Sequence, residues 1–165
     1  MISIKKVLIF LTVCALLWLP GCSRQDSSEK GLTSQAHTVQ NLYLTYLGHS
    51  AFLIDNGLKI LIDPYSPDLG YGEINLKADI VIISHEHNDH NYLPGTYGQV
   101  LRGLDPSGEW NRHNLNLAGL HIYNVDSYHD PHDGSKLGKN SIFVLEISQL
   151  RIVHLGDLGY QLSEE

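Results

Sequence analysis

His85-Glu86-His87-Asn88-Asp89-His90 is the stretch that decides how this chain is read. Six residues carry three imidazoles and three further oxygen-bearing side chains. They follow directly on the apolar run Ile80-Val81-Ile82-Ile83, whose length and β-branched content predict a buried strand. The spacing His-x-His-x-Asp-His therefore puts four candidate metal ligands at one end of a strand. His85 and His87, two apart in extended chain, project to the same side. Asp89 and His90 come where the chain turns, and so reach a second position beside the first. Neutral imidazole suits Zn²⁺, and a carboxylate suits zinc, iron or manganese. The spacing and the preceding strand together favour a metal site over a solvated polar loop.

Working outward from this motif, the chain reads as mostly β. Asn41 to Tyr46 alternates, with Leu42, Leu44 and Tyr46 on one face. Ala51 to Ile54 and Leu58 to Ile62 flank Asp55-Asn56-Gly57, a hairpin signal. Asp63-Pro64 closes the second of these strands, because proline cannot continue a ladder. Pro67 to Asn75 reads as loop, and Lys77-Ala78-Asp79 leads into the motif strand. Pro94, Gly95, Gly98, Gly103, Pro106 and Gly108 break any long helix between residues 91 and 114, where no element is assigned. Leu117 to Val125 is a strand candidate with a turn at Ala118-Gly119. Ser141 to Ile147 and Leu150 to Leu155 form a second hairpin around Ser148-Gln149. Periodicity alone predicts packed sheets and little helix.

The N-terminus has a different character. Lys5 and Lys6 precede an apolar run from Val7 to Leu19, interrupted by Thr12. This is the pattern of a signal peptide and is short for a membrane span. The run ends in Leu19-Pro20-Gly21-Cys22, which resembles a bacterial lipobox, with Cys22 as the lipidated residue. Residues 1–21 are accordingly read as a signal peptide with lipobox, residues 22–38 as the lipidated Cys and a flexible tether, and residues 39–165 as the folded domain. The tether is small and polar from Ser23 to Ser34. Of the two cysteines, Cys14 falls in the segment to be removed, so no disulfide is expected. This reading places the protein in a bacterial cell envelope, anchored to a membrane and facing away from the cytoplasm.

The chain carries 11 basic and 18 acidic residues. An acidic domain lacks the basic surface that phosphate backbones require, so nucleic acid is not an expected partner. There is no Gly-x-Ser-x-Gly elbow to supply a serine nucleophile.

The motif His85-Glu86-His87-Asn88-Asp89-His90 resembles the HxHxDH signature of the metallo-β-lactamase superfamily, and the resemblance covers most of residues 41–160. Leu47-Gly48-His49-Ser50-Ala51-Phe52-Leu53-Ile54 and Ile60-Leu61-Ile62-Asp63-Pro64 look like that family's opening strands. Ile152-Val153-His154-Leu155-Gly156-Asp157 looks like its later metal-binding strand end. Within that superfamily the chain looks like the branch that includes L-ascorbate-6-phosphate lactonase.

The resemblance implies an α+β fold, an αββα sandwich, of which residues 39–165 would form the strand-rich first half. The complete family domain is longer and supplies a final His ligand later in its sequence. It implies two metal ions, zinc above all, with manganese or iron as alternatives. His85, His87 and a third His would hold the first ion. His129 is favoured for that place because it follows the strand candidate ending at Val125, with His132 as the competitor. Asp89, His90 and Asp157 would hold the second ion, Asp157 bridging both. Asp89 and Asp157 would also act in catalysis, orienting a metal-bound hydroxide and accepting a proton. Asp63 and His49 are expected to support the ligands or line the pocket. His154 is left between core and pocket, and His37, His113 and His121 are read as surface or half-buried residues. The implied activity is hydrolysis of a small-molecule lactone, ester or phosphoester by a lipid-anchored enzyme. The alternative is a non-catalytic, metal-binding remnant of such an enzyme. Oligomeric state is not legible.

Overall fold

The computed structural model describes residues 41–93 and 95–162. The expected signal peptide and lipobox (1–21), Cys22 and the tether (22–38), His37 and Pro94 lie outside the described residues. Nine strands follow one another: β1 Tyr43–Gly48, β2 Ala51–Asp55, β3 Lys59–Ile62, β4 Lys77–Ile83, β5 Thr96–Arg102, β6 Asn114–Leu117, β7 Leu120–Tyr128, β8 Lys139–Ile147 and β9 Leu150–His154. A single 3-10 turn, Pro67–Leu69, is the only helical element among the described residues.

The strands form two sheets. One has the order β1-β2-β3-β4-β5 and the other β6-β7-β8-β9. In the first, β1, β2 and β3 pair antiparallel, whereas β3, β4 and β5 pair parallel. The second is antiparallel throughout. The sheets pack face to face. Ile54, Ile60, Ile62, Ile80, Ile82 and Leu101 of the first meet Leu120, Ile122, Phe143, Leu145 and Ile147 of the second in one buried cluster. Alternation along each strand sends every second side chain into this layer, which is why Ile60/Ile62 and Ile80/Ile82 recur two apart. Each fully buried Ile or Leu stabilises the sandwich by roughly 1.5–3 kcal/mol. The outer face of the first sheet is also covered, with Ala51, Leu61, Tyr65, Ile74, Ala78, Val81 and Ile83 forming a second cluster. Burial on both faces explains the continuous apolar run at Ile80–Ile83.

The two β layers of the expected αββα sandwich are therefore present, while the described residues contain no α-helix. Both predicted hairpins form. Asp55 pairs with Lys59 across Asn56-Gly57-Leu58, and Ser148 and Gln149 both adopt positive φ in a two-residue turn. Ala118 and Gly119 turn β6 into β7 in the same way. β5 is the element that the sequence did not announce. Gly98 and Gly103 read as breakers, yet β5 pairs with β4 from Lys77↔Thr96 to Ile83↔Arg102. A Cβ at Gly98 would collide with the Asp79 carbonyl, and one at Gly103 would lie 2.6 Å from the Ser84 carbonyl. Gly98 lets the backbones approach closely within the strand, and Gly103 does the same just past its end at Arg102. β1 forms where its alternation placed it. Of its shared apolar face, Leu42 packs against the core, while Leu44 and Tyr46 are 54% and 60% exposed on this edge strand.

The topology sets the site. β3 and β4 run parallel, so Asp63 and His85 emerge at the same end of the first sheet. β7 and β9 are both antiparallel to β8 and deliver His129 and Asp157 from the second sheet. Ligand-bearing residues commonly collect beyond the carboxyl ends of parallel strands.

Candidate metal centre

Two groups of potential ligands converge here. In the first, His85 Nε2 and His87 Nδ1 are 3.1 Å apart, and the His129 ring packs against both at 5.0 and 4.9 Å between centroids. One ring nitrogen from each of the three lies within 4.8 Å of the others. In the second, His49, Asp89 and His90 bring one ligand atom each within the same span. Asp157 lies between the groups, with Oδ2 3.0 Å from His129 Nε2 and Oδ1 3.3 Å from His90 Nε2. Asp157 thus has one carboxylate oxygen for each group.

Asp63, His85 and His90 form a third such cluster, but the Asp63 oxygens are already engaged. Oδ1 accepts from the Ser84 backbone N–H at 2.7 Å. Oδ2 accepts from Ser84 Oγ at 2.6 Å, His90 Nδ1 at 2.9 Å and His154 Nε2 at 2.7 Å. Burial by itself would raise the Asp63 carboxyl. The bonds from His154 and His90 outweigh it and hold the group well below the usual carboxylate range. Asp63 is therefore a buried anion that fixes ring orientation. Ser84 extends its reach, because its Oγ also lies 2.9 Å from His85 Nδ1. A proton on Nδ1 of His85 and of His90 leaves Nε2 of each as the lone pair facing the site.

Chemistry of the donor set fits a cation. His85 is buried, and burial followed by the nearby His90 pulls its imidazole down to about 4, so it is neutral at pH 7. His90 Nε2 is buried without a hydrogen-bond partner and faces Asp157 Oδ1 at 3.3 Å and Asp89 Oδ2 at 3.7 Å. With Nδ1 donating to Asp63, that nitrogen is an acceptor opposite two carboxylates, an arrangement that a proton or a metal ion resolves. His129 Nδ1 is likewise buried and unpartnered. For His90, burial disfavours charge, but Asp63 and then Asp157 and Asp89 outweigh it and raise the imidazole. The same anions that favour a proton there favour a divalent ion.

The loops that carry these groups are tightly built. Gly156 has φ +56°, and a Cβ there would press on Asn140 Oδ1 and lie 2.8 Å from Ser84. Asn140, fully buried on β8, donates to the Leu155 carbonyl at 2.8 Å and accepts from the Asp157 N–H at 3.2 Å. It clamps the chain on both sides of Gly156. Asp130 ties the turn after His129 together by accepting from the backbone N–H groups of His132, Lys136 and Leu137.

Of the two candidates in that turn, the structure brings His129 beside His85 and His87. His132 is exposed on the loop. Asp63 stands behind the candidate ligands His85 and His90, and His49 reaches Asp89, with Nε2 3.0 Å from Oδ2. His113 and His121 are half-buried and bond to the Arg102 carbonyl and to Glu146 and Asn114. Sequence reasoning did not foresee Ser84, Asn140 or the His154–Asp63 contact. These small polar residues lie within or beside apolar strands, where spacing carries no sign of their partners.

The comparisons agree with this architecture. A family model described as beta-lactamase superfamily domain matches residues 43–165, and the chain belongs to that family. A UPF0173 metal-dependent hydrolase of Methanosarcina barkeri is 28% identical over 144 residues, covering 70% of this chain and 61% of the relative. Another, from Pelotomaculum thermopropionicum, is 30% identical over 145 residues, covering 70% and 62%. The chain thus spans about three-fifths of the length of the curated relatives it matches. A solved structure from Thermotoga maritima, described as a Zn-dependent hydrolase of the metallo-β-lactamase superfamily, superposes with TM-score 0.53 at 29% identity. It covers 75% of this chain and 54% of that one. CmlA, a diiron β-hydroxylase from Streptomyces venezuelae, matches at TM-score 0.53 and 16% identity, covering 70% of this chain and 29% of its own, and shares the fold alone.

Proposed function

We propose that this chain carries the metal centre of a metal-dependent hydrolase acting on a small lactone, ester or phosphoester. The observation that carries the reading is the position of Asp157 between two groups of converging imidazole and carboxylate donors. His85, His87 and His129 would hold one ion, Asp89 and His90 a second, and Asp157 one oxygen of each. Zinc is the ion that the imidazole-rich first group suits best, with manganese or iron more compatible at the carboxylate-rich second. Bound ions supply an acidified water and an electrophile for a carbonyl or phosphoryl oxygen. The protein contributes orientation and proton acceptance. Asp63 holds His90 directly and His85 through Ser84, while Asp89 and Asp157 are the carboxylates open to the site that can take the proton of an attacking water. The relatives' name supports hydrolysis, and the acidic balance supports a substrate other than nucleic acid.

The lipid anchor belongs to the same reading, since Lys5, Lys6, the apolar run and Leu19-Pro20-Gly21-Cys22 together support attachment at Cys22. Labelled palmitate should enter the unmutated protein and not Cys22→Ala. A soluble, unlabelled product would refute the anchor.

The test of the centre is elemental analysis of the purified chain after dialysis, paired with hydrolysis of generic lactones, carboxylic esters and phosphodiesters. One to two ions per chain, lost in His85→Ala and His87→Ala, together with cleavage abolished by chelator, is the expected result. Less than a tenth of an ion per chain would overturn the metal reading. Full loading without cleavage of any substrate class would overturn the hydrolase and leave a metal-binding remnant.

A further inference from the structure

We infer that His49 is a direct ligand of the second metal position, an assignment that rests on the metal reading above. Three observations meet at this residue. First, His49 Nε2 points at Asp89 Oδ2 from 3.0 Å, and the His49 ring packs edge-on to His90 at 5.1 Å between centroids. Ligand atoms of His49, Asp89 and His90 therefore lie within 4.8 Å of one another. Second, His90 Nε2 is fully buried, has no hydrogen-bond partner, and faces this same space. An unpartnered buried nitrogen beside Asp89, Asp157 and a second imidazole marks a place that a cation satisfies. Third, the backbone that presents His49 is shaped for the purpose. His49 itself has φ +50°, and Gly48 before it has φ +120°. A Cβ at Gly48 would lie 2.6 Å from the Tyr71 ring and 3.3 Å from the Tyr65 hydroxyl. The Tyr65 hydroxyl in turn donates to the Leu47 carbonyl at 2.8 Å. The His49-Ser50 turn between β1 and β2 is thus locked from behind, which holds the imidazole beside Asp89.

Asp89, His90 and Asp157 would give the second ion three protein ligands, and His49 would supply a further one from this chain. The competing role is a positioning one, in which His49 donates to Asp89 and never touches metal. The two roles differ in whether His49 Nε2 carries a proton or a metal ion when the site is filled. Either nitrogen state is compatible with the 3.0 Å contact, so a direct bond must be observed.

The experiment is ¹⁵N NMR of the full chain, uniformly labelled at histidine nitrogens and titrated with ¹¹³Cd²⁺ to saturation. A scalar coupling between ¹¹³Cd and Nε2 of His49 is expected, on the same ion that couples to His90. Equilibrium dialysis of His49→Gln, and of His49→Phe in case the first variant fails to fold, should show the second ion bound more than tenfold more weakly and the first unchanged. Coupling to His90 with none to His49 would overturn the assignment and leave the metal reading intact. Binding of a single ion at His85, His87 and His129 at every cadmium concentration would overturn it as well. No coupling at any histidine would overturn the metal reading itself.

Discussion

His90 Nδ1 donates to Asp63 Oδ2 across 2.9 Å, joining the last residue of the motif to the end of a strand 27 residues earlier. Ser84 joins the same carboxylate oxygen to His85. One buried anion therefore sets the ring orientation of a histidine in each ligand group. Its loss would disturb both groups at once, which distinguishes Asp63 from each candidate ligand beside it.

Asp63→Asn should remove this control. An amide cannot accept from Ser84, His90 and His154 together, so buried donors lose their partner. The expected cost is about 3 kcal/mol or more of stability, the scale for breaking a buried charged network. Both ions should bind more weakly, by the ~10–100-fold typical of groups that orient ligands. Denaturant unfolding and competitive chelation measure the two effects. Weakening confined to one ion would contradict the shared role.

Acid should erase the same difference. The Asp63 carboxyl is depressed in the folded protein below its ordinary 3.8. Its contribution is then fully present above that value and is lost as pH falls toward the folded pKa. The stability gap between the metal-free protein and its Asp63→Asn variant should close as pH falls below 3.8 and the carboxyl protonates. A gap that widens below pH 3.8 would show the opposite sign.

His129→Ala should weaken binding of the first ion more than tenfold, whereas His132→Ala should leave it unchanged, since His132 is exposed on the loop and outside the cluster. Zinc competition against a chromogenic chelator reads both variants. Equal losses would show that the turn closes differently over the metal.

Gly156→Ala should be costly for a chain position that looks like a simple turn. The substitution forces a side chain into positive φ, at about 1–3 kcal/mol, and drives its Cβ onto Ser84 and Asn140. Asn140→Ala should act on the same segment by leaving the Leu155 carbonyl and the Asp157 N–H unpaired, at about 1–3 kcal/mol. Both should weaken metal binding, because Asp157 moves with its backbone. Thermal unfolding and metal competition in the two variants check this, and unaltered metal affinity in both would show that Asp157 is placed independently of the clamp.

Removal of metal should lower the melting temperature, and replacement should restore it, because only the folded chain gathers His85, His87, His129, Asp89, His90 and Asp157. Differential scanning calorimetry with and without chelator provides the measurement. Identical transitions would mean that the folded chain gains nothing from the ion.

The sequence by itself determined the motif, the strand that presents it and both hairpins. These rest on local physics: apolar periodicity, turn residues able to adopt positive φ, and ligand spacing within a few residues. Ile80–Ile83 and the two-residue turn at Ser148-Gln149 needed no tertiary information. The tertiary structure alone decided which distant residues meet. β5 became a strand because β4 offered an edge that its glycines could approach. β1 lies at the edge of its sheet, where Leu44 and Tyr46 stay exposed. His154 turned out to bond Asp63, 91 residues away, and Asn140 to clamp Asp157. His49, expected at the pocket, was placed beside Asp89 by the pairing of β1 with β2. Such contacts depend on sheet order and register, which place residues from several strands at one end of the sandwich, and periodicity within a strand carries no record of which strand will lie beside it.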